Sequence, residues 1–253
     1  MPMFRSQRKP YSPSIRRRAG ESLREKRENL IDDTLPPIVF LPFLFWFVYA
    51  VQQVQQSKHW VPHPYLWLSI AVISTGISAM WFRRLLPIAR RLNRGERGEL
   101  HVGDALEDLR ADGYKPIHDI VAGKFNIDHV LVGPGGVFAI ETKFRSGTGE
   151  ITFRDGDGLF VGGFSEEKDC LKQARGNARA VSEMIANNCG RREWVTPLVV
   201  FVGDWRVKDE WRSTATRVFT PDRLARYIRN QQPQLKKSEI DLIASHLERS
   251  TRQ

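Results

Sequence analysis

Two carboxylates and a lysine stand where phosphodiester chemistry would use them. Glu141 and Lys143 are two residues apart in the run Val137 to Phe144 (VFAIETKF), and Asp128 lies within Phe125 to Val132 (FNIDHVLV). Read as strands, the first run puts Ala139, Glu141 and Lys143 on one face, and Phe138, Ile140 and Phe144 on the other. The second puts Asn126, Asp128, Val130 and Val132 on one face, and Ile127, His129 and Leu131 on the opposite one. An aspartate in mid-strand runs against β-propensity. If the strands pair through the turn Gly133-Pro134-Gly135-Gly136, Asp128 meets Glu141 with Lys143 beside them. Two hard oxygen ligands and one cation suit magnesium and a phosphodiester. The expected location of this set is the face turned away from the core. An isolated E-x-K tripeptide reads first as a solvated strand whose two charges pair with each other, and only its context favours a site. His129 has the chemistry of a general base, but alternation sends it to the face opposite Asp128 and gives it a structural role. The glycine-rich turn is followed by a strand, not a helix, so it is no phosphate-binding loop.

The elements needed to hold these residues are legible from periodicity. A helix is predicted over about Gly95 to Arg110, with Val102, Leu106 and Leu109 on one face and Asp112-Gly113 as its stop. Strands follow at Lys115 to Ile120, Phe125 to Val132 and Val137 to Phe144. A small hairpin is predicted at Ile151 to Phe153 and Leu159 to Val161, around Asp155-Gly156-Asp157-Gly158. A helix over about Glu167 to Asn187 buries Leu171, Ala174, Ala178, Val181 and Ile185. Val195 to Val202 is nearly all apolar, as a strand covered on both faces would be. Arg217 to Phe219 is a short strand, and Pro221 opens a helix with Thr220 as its N-cap. A last amphipathic helix spans Ser238 to Arg249. Together these predict an α/β domain, a mixed β-sheet flanked by helices.

The combination of Gly95-Glu96-Arg97-Gly98-Glu99, Ile127-Asp128-His129, the run GPGGVFAIETK from Gly133, and Gln173-Ala174-Arg175 resembles the nuclease-related domain called NERD. That family lies in the PD-(D/E)xK superfamily, and the resemblance covers about residues 95 to 202. It implies a restriction-endonuclease-like sheet, Mg²⁺ or Mn²⁺ as cofactor, and DNA or RNA as partner. It also implies that Asp128 and Glu141 bind the metal, that Lys143 orients or polarises the attacking water, and that Glu99 is an acidic metal ligand from the first helix. Gln173 matches a helix-borne glutamine near the site. Glu99 would equally serve the dipole of its helix in the first turn. Gln173, with Asn177 one turn on, would equally be a polar helix flank.

The rest of the chain reads as an anchor. From Thr34 to Ser57, and again from Pro64 to Phe82, no residue carries a formal charge, and each run suits a crossing of the roughly 30 Å hydrocarbon layer. Tyr65, Trp67 and Trp81 sit near the ends of the second run, where aromatic residues favour the interfaces. Arginines and lysines crowd before the first run and after the second, while the connector holds only Lys58. The positive-inside rule therefore predicts an integral protein of the plasma (cytoplasmic) membrane, both termini cytoplasmic, with residues 52 to 63 outside. The net charge of +10 over 253 residues belongs largely to these flanks, so it says little about nucleic acid. Lys115, Lys124, Arg145, Arg154, Lys172, Arg175 and Arg179 are candidates for a path along a phosphate backbone. Two cysteines, Cys170 and Cys189, at no metal-binding spacing, read as free thiols. The expected organisation is a basic disordered tail (1 to 33), two transmembrane helices (34 to 83), the nuclease-like domain (95 to 230) and a C-terminal helix (231 to 253). The expected function is a membrane-anchored, metal-dependent nuclease; the alternative is an inactive nucleic-acid-binding or protein-interaction module on the same tether.

Overall fold

The computed structural model describes residues 17–56, 64–123, 125–154, 158–165, 169–208 and 216–250. Two long helices come first, α1 (Glu21–Gln56) and α2 (Pro64–Glu107). At 1.5 Å per residue they extend roughly 54 and 66 Å. Each contains a stretch long and apolar enough to cross a membrane, and almost none of either stretch is buried within the protein. They lie side by side, and Trp46 Nε1 of α1 donates to Thr75 Oγ1 of α2 over 3.1 Å. A 3₁₀ turn (Asp108–Asp112) closes α2, and Gly113 follows with φ +84°, a conformation that a side chain would oppose.

The start of α1 corrects the expectation of a disordered tail through residue 33, because the helix already begins at Glu21. Residues 1–16 lie outside the described residues. The polar surface of this first segment is matched by α2. Arg27 donates to Asn93 over 2.9 Å and to Glu96 over 2.6 Å. Composition records the charges but not their partners. A second correction concerns α2, which runs without a break from its apolar half into the predicted domain helix. The segment between Phe82 and Gly95 is rich in arginine and leucine, both good helix formers, and its single helix-breaking residue, Pro87, does not interrupt the helix that runs through from both sides. Most of the predicted outer connector, with Lys58, and likewise Lys124 and Asp155 to Asp157, fall outside the described residues.

The sheet has seven strands: β1 (Lys115–Ala122), β2 (Phe125–Gly133), β3 (Gly136–Arg154), β4 (Gly158–Val161), β5 (Phe164–Ser165), β6 (Val195–Val207) and β7 (Arg217–Phe219). β1 to β5 pair in sequence as an antiparallel meander, while β6 runs parallel to β3 and β7 parallel to β6, so the sheet is mixed as predicted. The 19-residue β3 is its spine. Helix α3 (Cys170–Cys189) supplies the crossover to β6, and α4 (Pro221–Arg229) and α5 (Lys237–Ser250) follow the last strand.

Both faces of the sheet are covered. Val130, Val132, Val137 and Ala139 pack against Ala178, Val181 and Ile185 of α3 and Ile243 and Leu247 of α5. Leu131, Phe138, Ile140 and Leu198 pack against Val102 and Leu106 of α2 and Leu224 and Ile228 of α4. The face shared by Ala139 and Glu141 is therefore a second core face and not the open one expected, because α3 lies across it. Phe138 is 1% exposed at the centre of the opposite cluster. Phe138→Ala is expected to cost about 3–5 kcal/mol, measured as a lowered unfolding midpoint of the purified chain.

Candidate active site

The ladder between β2 and β3 stops at the pair His129–Ile140. The ladder between β3 and β4, on the same side of β3, starts only at Ile151. In between, no strand is paired to that edge of β3 among the described residues. The next pair in the β2–β3 register would be Asp128 and Glu141, and there a side chain takes over from the backbone: the Thr142 N–H donates to Asp128 Oδ2 over 2.7 Å. Asp128 thus does the work of a ladder carbonyl, which explains an aspartate in mid-strand. On the far side, Glu141 to Phe144 of β3 remain paired with Val199 to Val202 of β6, so the site keeps a rigid floor.

Glu141 is 3% exposed and both its oxygens are engaged. Lys143 Nζ donates to Oε1 over 2.7 Å, and Asn177 Nδ2 donates to Oε2 over 2.8 Å. Lys143 Nζ also donates to Gln173 Oε1 over 3.0 Å. Gln173 and Asn177 stand one turn apart on α3, whose N-terminus is capped by Asp169 accepting from the Lys172 N–H over 2.8 Å. The lysine and glutamate do pair with each other, as the bland reading of E-x-K has it, but inside a four-residue network beneath a helix and not in solvent.

Electrostatics sets this neighbourhood apart from an ordinary ion pair. Burial raises the pKa of Asp128 well above the carboxylate range, with the charges of Glu141 and Glu99 adding to the effect. Glu141 is raised by burial against the opposing pull of Lys143 and Asn177. Glu99, on α2, is pushed up to about 7 by burial and by the charges of Asp119 and Glu141, with a Gly20 backbone hydrogen bond working the other way. Three carboxylates, Glu99 and Glu141 buried and Asp128 half-buried, are thus near enough to resist ionising together, and one lysine is too little to compensate them. Among the described residues, no three His, Cys, Asp or Glu side chains stand together as a ready-made metal cage.

The structure therefore brings Asp128, Glu141, Lys143 and Gln173 into direct or one-step contact, and places Glu99 within electrostatic reach of both carboxylates. Two residues of the neighbourhood escaped sequence reasoning. In the sequence Asn177 reads only as a polar flank, since its contact with Glu141 depends on the register of α3 against β3. Asp119 is 1% exposed and has φ +53°, an uncommon conformation for a residue with a side chain. It accepts from Arg17 Nη1, the Ser22 N–H and Asn126 Nδ2, each over 3.0 Å. No local pattern signals that a residue about a hundred positions earlier will neutralise it.

His129 points to the opposite face, as its position in the strand predicted. Its Nδ1 lies 2.9 Å from Nδ1 of His118, whose Nε2 lies 3.1 Å from Glu107 Oε1. Burial lowers the pKa of both histidines, most strongly that of His129. Two neutral rings then fix the tautomers: His118 donates to Glu107, and His129 donates to His118. Both cysteines are free thiols, and burial raises Cys170 to about 11, so it is an inert packing residue.

Residues 94–202 match the family model NERD, the nuclease-related domain. No curated protein and no solved structure matches the chain. The nuclease-related match covers less than half of the chain, from the last third of α2 into β6. It takes in Glu99, Asp119, Asp128, Glu141, Lys143, Gln173 and Asn177, and it suggests a nuclease-related function.

Glu99 gives a pH dependence whose sign follows from its shift. Its folded pKa of about 7 lies above its ordinary 4.5, so between those values the folded chain holds a proton that the unfolded chain has lost. Stability from this group is full below pH 4.5, declines as pH rises, and is gone above pH 7. In chelator, the thermal midpoint is expected to fall by several °C from pH 5 to pH 8, and Glu99→Gln is expected to flatten that slope. Equal slopes in the two proteins would remove Glu99 from the cluster.

Proposed function

We propose that this chain is a metal-dependent nuclease of DNA or RNA, held at the plasma membrane by α1 and α2 with its catalytic domain on the cytoplasmic side. The observation that carries the reading is the convergence of Asp128, Glu141 and Lys143 at the gap where β2 leaves β3, inside a segment that matches a nuclease-related domain. Carboxylates crowded around one lysine, with Asp128 and Glu99 raised by the charge of Glu141, are poor partners for a phosphate on their own. A divalent cation held by Asp128 and Glu141 would relieve the repulsion and make the site attractive to a phosphodiester.

The donor set fits such an ion. Mg²⁺ keeps several waters and binds through one or two carboxylates, the number that Asp128 and Glu141 supply. Glu99 would add a third, directly or through water. When bound, Mg²⁺ or Mn²⁺ supplies Lewis-acid polarisation of the phosphate and activation of water. The protein's own groups do the rest. Gln173 and Asn177 hold Lys143 and Glu141 in place. The Lys143 ammonium orients the attacking water and stabilises charge developing on the phosphoryl oxygens. The rigid floor of β3 and β6 keeps these groups from drifting as charge shifts.

Membrane attachment rests on a separate observation. A buried core hairpin needs its apolar surface covered, yet Phe40, Phe43 and Phe47 of α1 and Val72, Ile73 and Trp81 of α2 are all exposed. Contiguous apolar exposure on this scale calls for lipid. The arginines of α2 beyond Phe82 favour the anionic cytoplasmic leaflet.

The test is cleavage of labelled single-stranded DNA, duplex DNA and RNA by the full chain in detergent. Cleavage is expected with Mg²⁺ or Mn²⁺ and not in chelator. Asp128→Asn, Glu141→Gln and Lys143→Met are each expected to lower it by at least about 100-fold. Activity persisting in all three variants would overturn the site. Binding without cleavage in any divalent ion would favour the inactive binding module.

A further inference from the structure

Beside the candidate site, α3 and the first residues of β6 enclose a groove of about 610 Å³. Its walls carry Arg175, Arg179, Arg192 and Trp194, with Glu183 as the one opposing charge. Trp194 is 76% exposed, although the sheet beside it offers a continuous core to bury an indole. Among the described residues neither Arg179 nor Arg192 makes an ion pair, whereas their neighbour Arg191 is tied to Glu193 and Glu239. A groove with three guanidinium groups, one carboxylate and an uncovered aromatic face has the composition of a single-strand binding surface. Guanidinium groups track phosphates and the ring stacks on bases.

The groove runs toward the chemistry. Arg175 and Arg179 are on the same helix as Gln173 and Asn177, which touch Lys143 and Glu141. Val199 of β6 is the register partner of Glu141, and Trp194 lies five residues before it. At about 3.3 Å per residue that separation is roughly 16 Å. Along α3, Asn177 to Asn187 at the groove's far end is roughly 15 Å. Both rails give the same span, which at about 3.4 Å per nucleotide corresponds to some four or five nucleotides.

We infer that this groove binds single-stranded nucleic acid, with one base stacked on Trp194 and the backbone led past Arg179 and Arg175 toward Glu141. A duplex does not fit this surface as well, since its bases already stack on each other and leave the indole nothing to cover it. The inference rests on the proposed nuclease reading for its direction, because it names the substrate form that reaches the same site.

Binding of fluorescently labelled dT20, and of a 20-base-pair duplex, to the full chain in detergent tests it by anisotropy in chelator, where no cleavage occurs. The wild type is expected to bind dT20 more tightly than the duplex. Trp194→Ala is expected to weaken dT20 binding by about 10-fold or more and to leave duplex binding unchanged, while Trp194→Phe restores it. Arg179→Gln with Arg192→Gln is expected to reduce the slope of log K against log salt by about 1.4. Trp194 is exposed, so its variants fold as the wild type does. Equal binding of dT20 by wild type and Trp194→Ala would overturn the groove, even if Lys143→Met abolishes Mg²⁺-dependent cleavage and the active site stands. Binding that depends on Trp194, without cleavage in any divalent ion, would uphold the groove and overturn the catalytic reading.

Discussion

Burying several carboxylates around one lysine is the costly act on which the rest of this structure turns. Burial pushes Asp128, Glu141 and Glu99 toward the protonated form, and the charge of Glu141 adds to the effect on the other two. A fold selected for stability alone would replace such a group with apolar side chains of similar volume. Here the surrounding elements are built to hold it. β2 leaves β3 one pair early, Asp128 substitutes its own oxygen for the lost ladder acceptor, and α3 lays an amide on Glu141 and another on Lys143.

The same constraint explains why the long helices matter to the site. Glu99 belongs to the helix whose other end is a membrane-crossing candidate, so its position is set by the packing of α2 on the sheet. The start of α1 returns to the same region, where Arg17 and the Ser22 N–H meet Asp119. Gly103 makes that approach feasible, since a Cβ there would lie 2.6 Å from the Ala19 Cβ. The segment expected to be an unstructured tail is thus, from Arg17 onward, part of the wall around the acidic cluster.

Much of this was legible in the sequence because it is local. Strand alternation placed Asp128 and Glu141 on one face and His129 on the other, and the two-residue turn Pro134-Gly135 fixed the register that puts the carboxylates opposite each other. The helix and strand order held for the same reason, except that the strand at Val137 and the first hairpin strand at Ile151 are one continuous β3. What sequence could not give was tertiary. Whether α3 covers the Glu141 face depends on the crossover from β5 to β6, so that face was expected to be open and is instead closed. The contact of Asn177 with Glu141, the long-range pairing of Arg17 with Asp119, and the fusion of the second apolar run with the domain helix have no signature in spacing or composition.

Whether a divalent ion occupies the space between Asp128 and Glu141 decides most directly between a catalytic site and a structural network. Anomalous diffraction from crystals of the full chain soaked in Mn²⁺ measures this. The expected result is one strong peak about 2.0–2.2 Å from an oxygen of each carboxylate, with the bond from Lys143 to Glu141 lengthened. No peak at that position at saturating Mn²⁺, with the bond between Lys143 and Glu141 intact, would contradict it and leave the cluster a structural network.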